Sequence, residues 1–238
     1  MLLHFRCIWL LLLVLVGCAE PSSAPAPSPA PPAPVPTTPT NTVSYLALGD
    51  SYTIGQSVPA ADRWCVQLAQ LAQAEGVQPP DIIAQTGWTT GELQQAIVAA
   101  NVQKTYGLVS LMIGVNNQYR GLPLDTYRTE FRQLVQTAIG FAGGQSRRVF
   151  VLSIPDWGQT PAGRGYSQAR ISQEIDQFNA AAREECAKAT VEFVDITDLT
   201  RATNFDPAQF APDGLHYSGL HMRQWAGRAL PVVRQIVK

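Results

Sequence analysis

From residue 43 onward the chain alternates short apolar runs with longer stretches in which apolar residues return every three or four positions. Val43 to Leu48, Asp81 to Ala84, Leu108 to Ile113, Arg148 to Leu152 and Val191 to Val194 are rich in Val, Ile, Leu and Phe and are bounded by Gly, Pro or Asp. Runs of that length and composition predict five buried strands. Between them Trp64, Leu68 and Leu71 recur at helical spacing, as do Leu93 and Ile97. The same spacing holds for Tyr127, Phe131, Leu134 and Ala138, and then for Ile171, Ile175, Phe178 and Ala182. A last helix is expected from about Ser218 to Val237, carrying Leu220, Trp225, Ala229 and Val233, with Pro231 as the residue able to kink it. Strict alternation of strand and helix predicts an α/β domain with a parallel sheet covered on both faces by right-handed crossovers.

The first 42 residues follow a different pattern. Arg6 precedes an apolar run from Ile8 to Val16, far shorter than the roughly 20 residues of a membrane-spanning helix, which reads as the core of a signal peptide over 1–17. It ends in Leu15-Val16-Gly17-Cys18, which resembles the bacterial lipobox. That resemblance implies cleavage before Cys18, lipidation of Cys18 and anchorage to a membrane surface without a span, on the cell envelope. Residues 18–42 are then a linker. Its segment from Pro21 to Thr42 holds nine of the 18 prolines and no charged side chain. Such a segment cannot bury enough surface to offset its ordering entropy, and its prolines favour an extended, semi-stiff tether. Residues 43–238 remain for one domain.

Composition narrows the partners. With 17 basic against 18 acidic side chains and a net charge of -1, no field steers a polyanion, so no nucleic acid is expected and any ligand is read by a local site. Four cysteines without a Cys-x-x-Cys or His/Cys cluster give neither a disulfide scaffold nor a metal centre, and no metal or organic cofactor is expected.

In a parallel α/β sheet, ligands bind beyond the carboxyl ends of the strands. Four loops there carry suggestive chemistry. Gly49-Asp50-Ser51-Tyr52-Thr53-Ile54-Gly55 follows the first strand, Gln85-Thr86-Gly87-Trp88 the second and Gly114-Val115-Asn116-Asn117 the third, while Asp213-Gly214-Leu215-His216 precedes the last helix. The three histidines are His4, His216 and His221. His4 leaves with the signal peptide and His221 falls inside the predicted helix, where packing suffices to explain it. His216 is the base candidate, and Asp213 three residues earlier is placed to orient its ring. On spacing alone, Asp-x-x-His is equally compatible with a loop histidine that has no chemical duty. Gly87 and Gly114 are equally compatible with simple turns, Asn116 with an ordinary loop amide, and Asp50 with a turn or helix cap.

Taken together and in this order, the four elements resemble the SGNH/GDSL hydrolase family over essentially all of residues 43–238. Gly49-Asp50-Ser51 resembles its first block, Gly87 the second-block glycine, Asn116 the third-block asparagine, and Asp213 with His216 the last block. The resemblance implies a three-layer α/β/α sandwich with a five-stranded sheet in the order 2-1-3-4-5. It also implies a triad of Ser51, His216 and Asp213 and an oxyanion hole formed by the Ser51 and Gly87 backbone N–H groups and the Asn116 amide. Tyr52 stands where the family has leucine, and Asn117 where an aspartate is frequent. With that strand order, the helices bearing Cys65 and Cys186 fall on opposite faces, so two free, buried thiols are expected.

Trp88, Asn117, Tyr119 and Trp157 are candidates to line a substrate pocket, and Arg120 and Arg164 to meet an anionic group. The expected function is a serine hydrolase acting on carboxylic esters, either short-chain acyl esters or lysophospholipid-like molecules, with a monomer favoured and the oligomeric state left open. A carbohydrate O-acetylesterase is the alternative within that class, and a catalytically inactive binding module on the same fold is the alternative outside it.

Overall fold

The structure is a computed structural model that describes residues 42–238. The signal peptide at 1–17, Cys18 and the linker up to residue 41 lie outside the described residues. Five strands, β1 (Tyr45–Gly49), β2 (Asp81–Ala84), β3 (Leu108–Met112), β4 (Val149–Leu152) and β5 (Glu192–Val194), form one parallel sheet. Its order is β2-β1-β3-β4-β5, as expected. The central β1, β3 and β4 are buried throughout, whereas Asp81 of β2 and Glu192 of β5 meet solvent at the edges.

Among the described residues eight α-helices connect and cover the sheet: α1 (Ser51–Ile54), α2 (Trp64–Leu71), α3 (Thr90–Ala100), α4 (Val115–Tyr119), α5 (Leu124–Phe141), α6 (Gln168–Ala189), α7 (Thr197–Arg201) and α8 (Gly219–Ile236). Strand order dictates where the crossovers lie. The connection from β1 to β2 runs against the other three, so right-handed crossovers place α2 on one face with α8 and place α3, α5 and α6 on the other. The packing agrees, with α2 against α8, and α5 against both α3 and α6. The apolar positions singled out by helical spacing fill these contacts. Trp64, Leu68, Leu93, Tyr127, Phe131, Leu134, Ile175 and Trp225 are buried, each large aliphatic or aromatic side chain contributing about 1.5–3 kcal/mol relative to exposure.

Cys65 and Cys186 are buried and unpaired, the outcome that the strand order demands. Burial pushes both thiols up to about 12, which keeps them in the unreactive protonated form.

Several boundaries differ from the apolar runs. β1 starts at Tyr45 because Val43 pairs instead with Val77 in an isolated bridge. β3 stops at Met112, short of Gly114, whose φ is 131°. No side chain fits there, since a Cβ would lie 2.6 Å from the Tyr127 ring. Leu220, expected on the packed face of the last helix, is exposed, and His221 and Met222 are buried in its place. Pro231 lies inside α8 without ending it.

Candidate active site

Ser51, Gly87 and Asn116 stand beyond the carboxyl ends of β1, β2 and β3, three adjacent strands in the sheet. Ser51 is the first residue of α1, capped by Asp50, whose carboxylate accepts from the Tyr52 N–H at 3.0 Å. Asp50 is therefore the helix cap allowed for by the sequence. Gly49 must lack a side chain, because a Cβ would lie 2.2 Å from Thr53 Oγ1 and 2.6 Å from the Met112 carbonyl oxygen. This close approach fixes the turn from β1 into α1 and seats Ser51 at the strand tip.

Asp213 and His216 form a tight turn. Asp213 Oδ1 accepts from the backbone N–H groups of Leu215 and His216, each at 2.9 Å, and Oδ2 lies 2.7 Å from His216 Nδ1. Ser57 Oγ donates to the same Oδ2 at 2.6 Å. Partial burial alone would raise the carboxyl of Asp213. The hydroxyl of Ser57, the two backbone N–H groups and the imidazole outweigh it and hold the group well below the usual carboxylate range, fully ionised. The His216 ring packs against Tyr52, centroids 5.2 Å apart, which brings it beside the residue that follows Ser51. Among the described residues no hydrogen bond joins Ser51 Oγ to His216.

Three N–H groups at these strand ends are candidate donors to a developing negative charge. Among the described residues nothing accepts from the Ser51 or Gly87 N–H. Asn116 Nδ2 donates to the Trp88 carbonyl at 2.9 Å, which orients the amide and leaves its second N–H free. Arg120 holds the same loop, donating to the Gly87 carbonyl at 2.6 Å and pairing with Glu92. It serves loop geometry here, in contrast to the expected contact with an anion. Arg164 instead stacks over the Phe205 ring at 4.5 Å.

The pocket candidates divide. Asn117 is fully buried and is not a pocket residue: its Oδ1 accepts from the Thr90 N–H at 3.0 Å and its Nδ2 donates to Thr90 Oγ1 at 2.7 Å. Thr90 Oγ1 is also bonded to Glu130. The Thr90 hydroxyl donates to that carboxylate and therefore needs a donor from position 117, which an amide supplies and an aspartate would not. This explains the departure from the family pattern. Trp88 is half-buried. Trp157 is buried, with Nε1 donating to Gln118 Oε1 at 2.7 Å, and Gln118 in turn donates to Glu174. Tyr119 and Tyr166 meet the Trp157 ring edge to face at 5.2 and 5.1 Å. Both tyrosines are largely exposed. With Leu122, Arg170 and Glu174 they line an open cavity of about 640 Å³ beside α4, the helix that carries Asn116.

His221 is buried, with Nδ1 at 2.9 Å from Gln209 Oε1 and the ring stacked on Tyr217. Burial lowers it to about 4, so it stays neutral in a packing role. Sequence reasoning missed Ser57, Gln118 and Tyr166. Ser57 meets Asp213 across 156 positions, and no local pattern announces such a contact.

A family model described as GDSL-like Lipase/Acylhydrolase matches residues 47–223. Solved structures with the same fold include TesA, 16% identical with a TM-score of 0.64, covering 81% of this chain and 99% of that one. The psychrotrophic esterase EstA from Pseudoalteromonas sp. is 15% identical with a TM-score of 0.61, covering 81% and 97%. An acetylxylan esterase from Geobacillus stearothermophilus is 21% identical with a TM-score of 0.63, covering 80% and 94%. No curated protein matches the sequence.

Proposed function

The chain belongs to the GDSL-like lipase/acylhydrolase family and is a carboxylic ester hydrolase, and from that premise we propose that Ser51, His216 and Asp213 carry the reaction through an acyl-enzyme. The observation that carries the reading is the 2.7 Å contact between Asp213 Oδ2 and His216 Nδ1. With Nδ1 held by the carboxylate, Nε2 is the atom left to take a proton.

Ser51 Oγ attacks the ester carbonyl carbon while His216 Nε2 accepts the hydroxyl proton. Charge then gathers on the former carbonyl oxygen, where the N–H groups of Ser51 and Gly87 and the free amide N–H of Asn116 receive it. Donors of this kind contribute about 2.7–4 kcal/mol each in the transition state. Collapse of the tetrahedral intermediate expels the alkoxide, which takes the proton from His216. Water, activated by the same imidazole, then releases the carboxylic acid and restores Ser51.

Two substrate classes fit an open cleft: short-chain or lysophospholipid-like esters, and acetyl groups on carbohydrate. The exposed Tyr119 and Tyr166 beside Trp157 favour the second, since aromatic faces with a polar rim of Arg170 and Glu174 suit a sugar ring. The full chain assayed on p-nitrophenyl esters from acetate to laurate, and on acetylated xylo-oligosaccharides, separates the two. Ser51→Ala is expected to lose at least about 1,000-fold in kcat and to escape labelling by a fluorophosphonate. Absence of both turnover and labelling in the unaltered chain would favour a binding module instead. We also propose that Cys18 carries a lipid that anchors the enzyme to the cell envelope.

A further inference from the structure

Between α1 and α2 the chain makes a short loop, Gly55 to Val58, whose two exposed side chains reach in opposite directions across the site. Gln56 Oε1 accepts from Thr86 Oγ1 at 2.6 Å, next to Gly87, and Ser57 Oγ donates to Asp213 Oδ2 at 2.6 Å. The loop is pinned below by the Gln56 N–H to the Ser51 carbonyl at 2.9 Å. Ser57 has a φ of 64°, the left-handed region that a non-glycine residue enters at a cost. Glycine would occupy this position without strain. The hydroxyl itself therefore gives the residue its purpose.

We infer that Ser57 is a positioning residue for catalysis, holding Asp213 Oδ2 in line with His216 Nδ1 and sharing the charge on that oxygen. The inference rests on the triad reading given above. Oδ1 is already fixed by two backbone N–H groups, so the carboxylate plane is set by the turn. Ser57 governs Oδ2 alone, where imidazole and hydroxyl compete for the same charge. Removing the hydroxyl concentrates that charge on the imidazole, so the imidazolium becomes easier to form and the acid limb of the rate profile moves to higher pH. Among the described residues no lysine, arginine or further carboxylate pairs with Asp213 or His216. The titratable group against the pair is Tyr52, whose ring faces His216 and whose hydroxyl burial raises well above its ordinary value.

Three substitutions in the full chain separate hydroxyl from backbone, each followed by kcat, KM, the pH profile of kcat/KM on p-nitrophenyl acetate, and thermal unfolding. Ser57→Gly removes the hydroxyl and relieves the strain. It is expected to melt no lower than the unaltered chain, with kcat down about three- to tenfold, KM little changed, and the acid limb displaced upward by several tenths of a pH unit. Ser57→Ala is expected to show the same displacement. Ser57→Thr keeps the hydroxyl on a more strained backbone, and is expected to melt lower while keeping the original profile. An unchanged profile and kcat in Ser57→Gly would overturn the inference, as would a displaced profile in Ser57→Thr. A Ser51→Ala control separates the failures. Turnover surviving in that variant would sink the triad and this role with it, whereas an inactive Ser51→Ala beside an unaffected Ser57→Gly would remove the role alone.

Discussion

Asp50 and Asp213 show how one side chain type takes opposite states within a single site. Asp213 is held ionised by four hydrogen bonds. Asp50 is wholly buried, and its Oδ2 has no partner among the described residues. Burial is the main cause that pushes it from 3.8 up to about 7, against the weaker pull of the Tyr52 N–H. Because the folded value lies above the unfolded one, Asp50 contributes its stability fully below about pH 4. That contribution is lost as pH rises through 7, where the folded chain must carry a buried charge. Asp50→Asn keeps the cap acceptor without the charge. Its stability relative to the unaltered chain should therefore rise between pH 5 and pH 8, by roughly 1–3 kcal/mol. Urea midpoints at the two pH values would show this, and a difference independent of pH would mean that Asp50 is not held neutral. At this scale loop and helix positions differ in pattern, and the structure finds His221 packed within the last helix and His216 on the turn with Asp213. The sequence placed Asn117 in the pocket because an amide in a loop after a strand looks the same whether it faces substrate or caps a neighbouring helix.

Among the elements, the long helices and the strands could be read from periodicity because each repeats its burial over several turns or residues. The one-turn helices α1, α4 and α7 could not, being too short for a period to appear. Yet α1 carries Ser51, and α4 carries Asn116. The residues proposed for chemistry thus sit on the elements that pattern analysis resolves least, and motif order drew attention to them where periodicity could not. The seam from α3 to α4 makes this concrete. Thr90 in the first turn of α3 meets Asn117 of α4 and Glu130 of α5 through one hydroxyl. Asn117→Asp would set two carboxylates on a hydroxyl that has one proton. Leaving one of them unsatisfied in a buried position should cost about 1–3 kcal/mol and loosen the Gly87 and Asn116 loops together. A chemical denaturation curve alongside kcat tests this, with both quantities expected to fall. A variant as stable as the parent would show that the network tolerates either acceptor.

Over the whole molecule, the strand order read from the family resemblance fixed which helices share a face, and with them the isolation of Cys65 from Cys186. Residues 1–41 lie outside the described residues, and the lipidation proposed for Cys18 is tested in cells. Cys18→Ala should move the protein from the membrane fraction to the soluble fraction and abolish incorporation of labelled palmitate, and continued membrane association would refute the anchor. A parallel sheet also has a direction. Thr42 joins the domain where Gly107, Arg148 and Glu192 cluster at the amino ends of the strands, while Ser51, Gly87 and Asn116 stand at the opposite, carboxyl ends. Any pull transmitted through Thr42 therefore acts on the pole away from the proposed site. Whatever is attached at Thr42 thus leaves the opposite pole unobstructed, and an ester can arrive at Ser51 without passing the point of attachment.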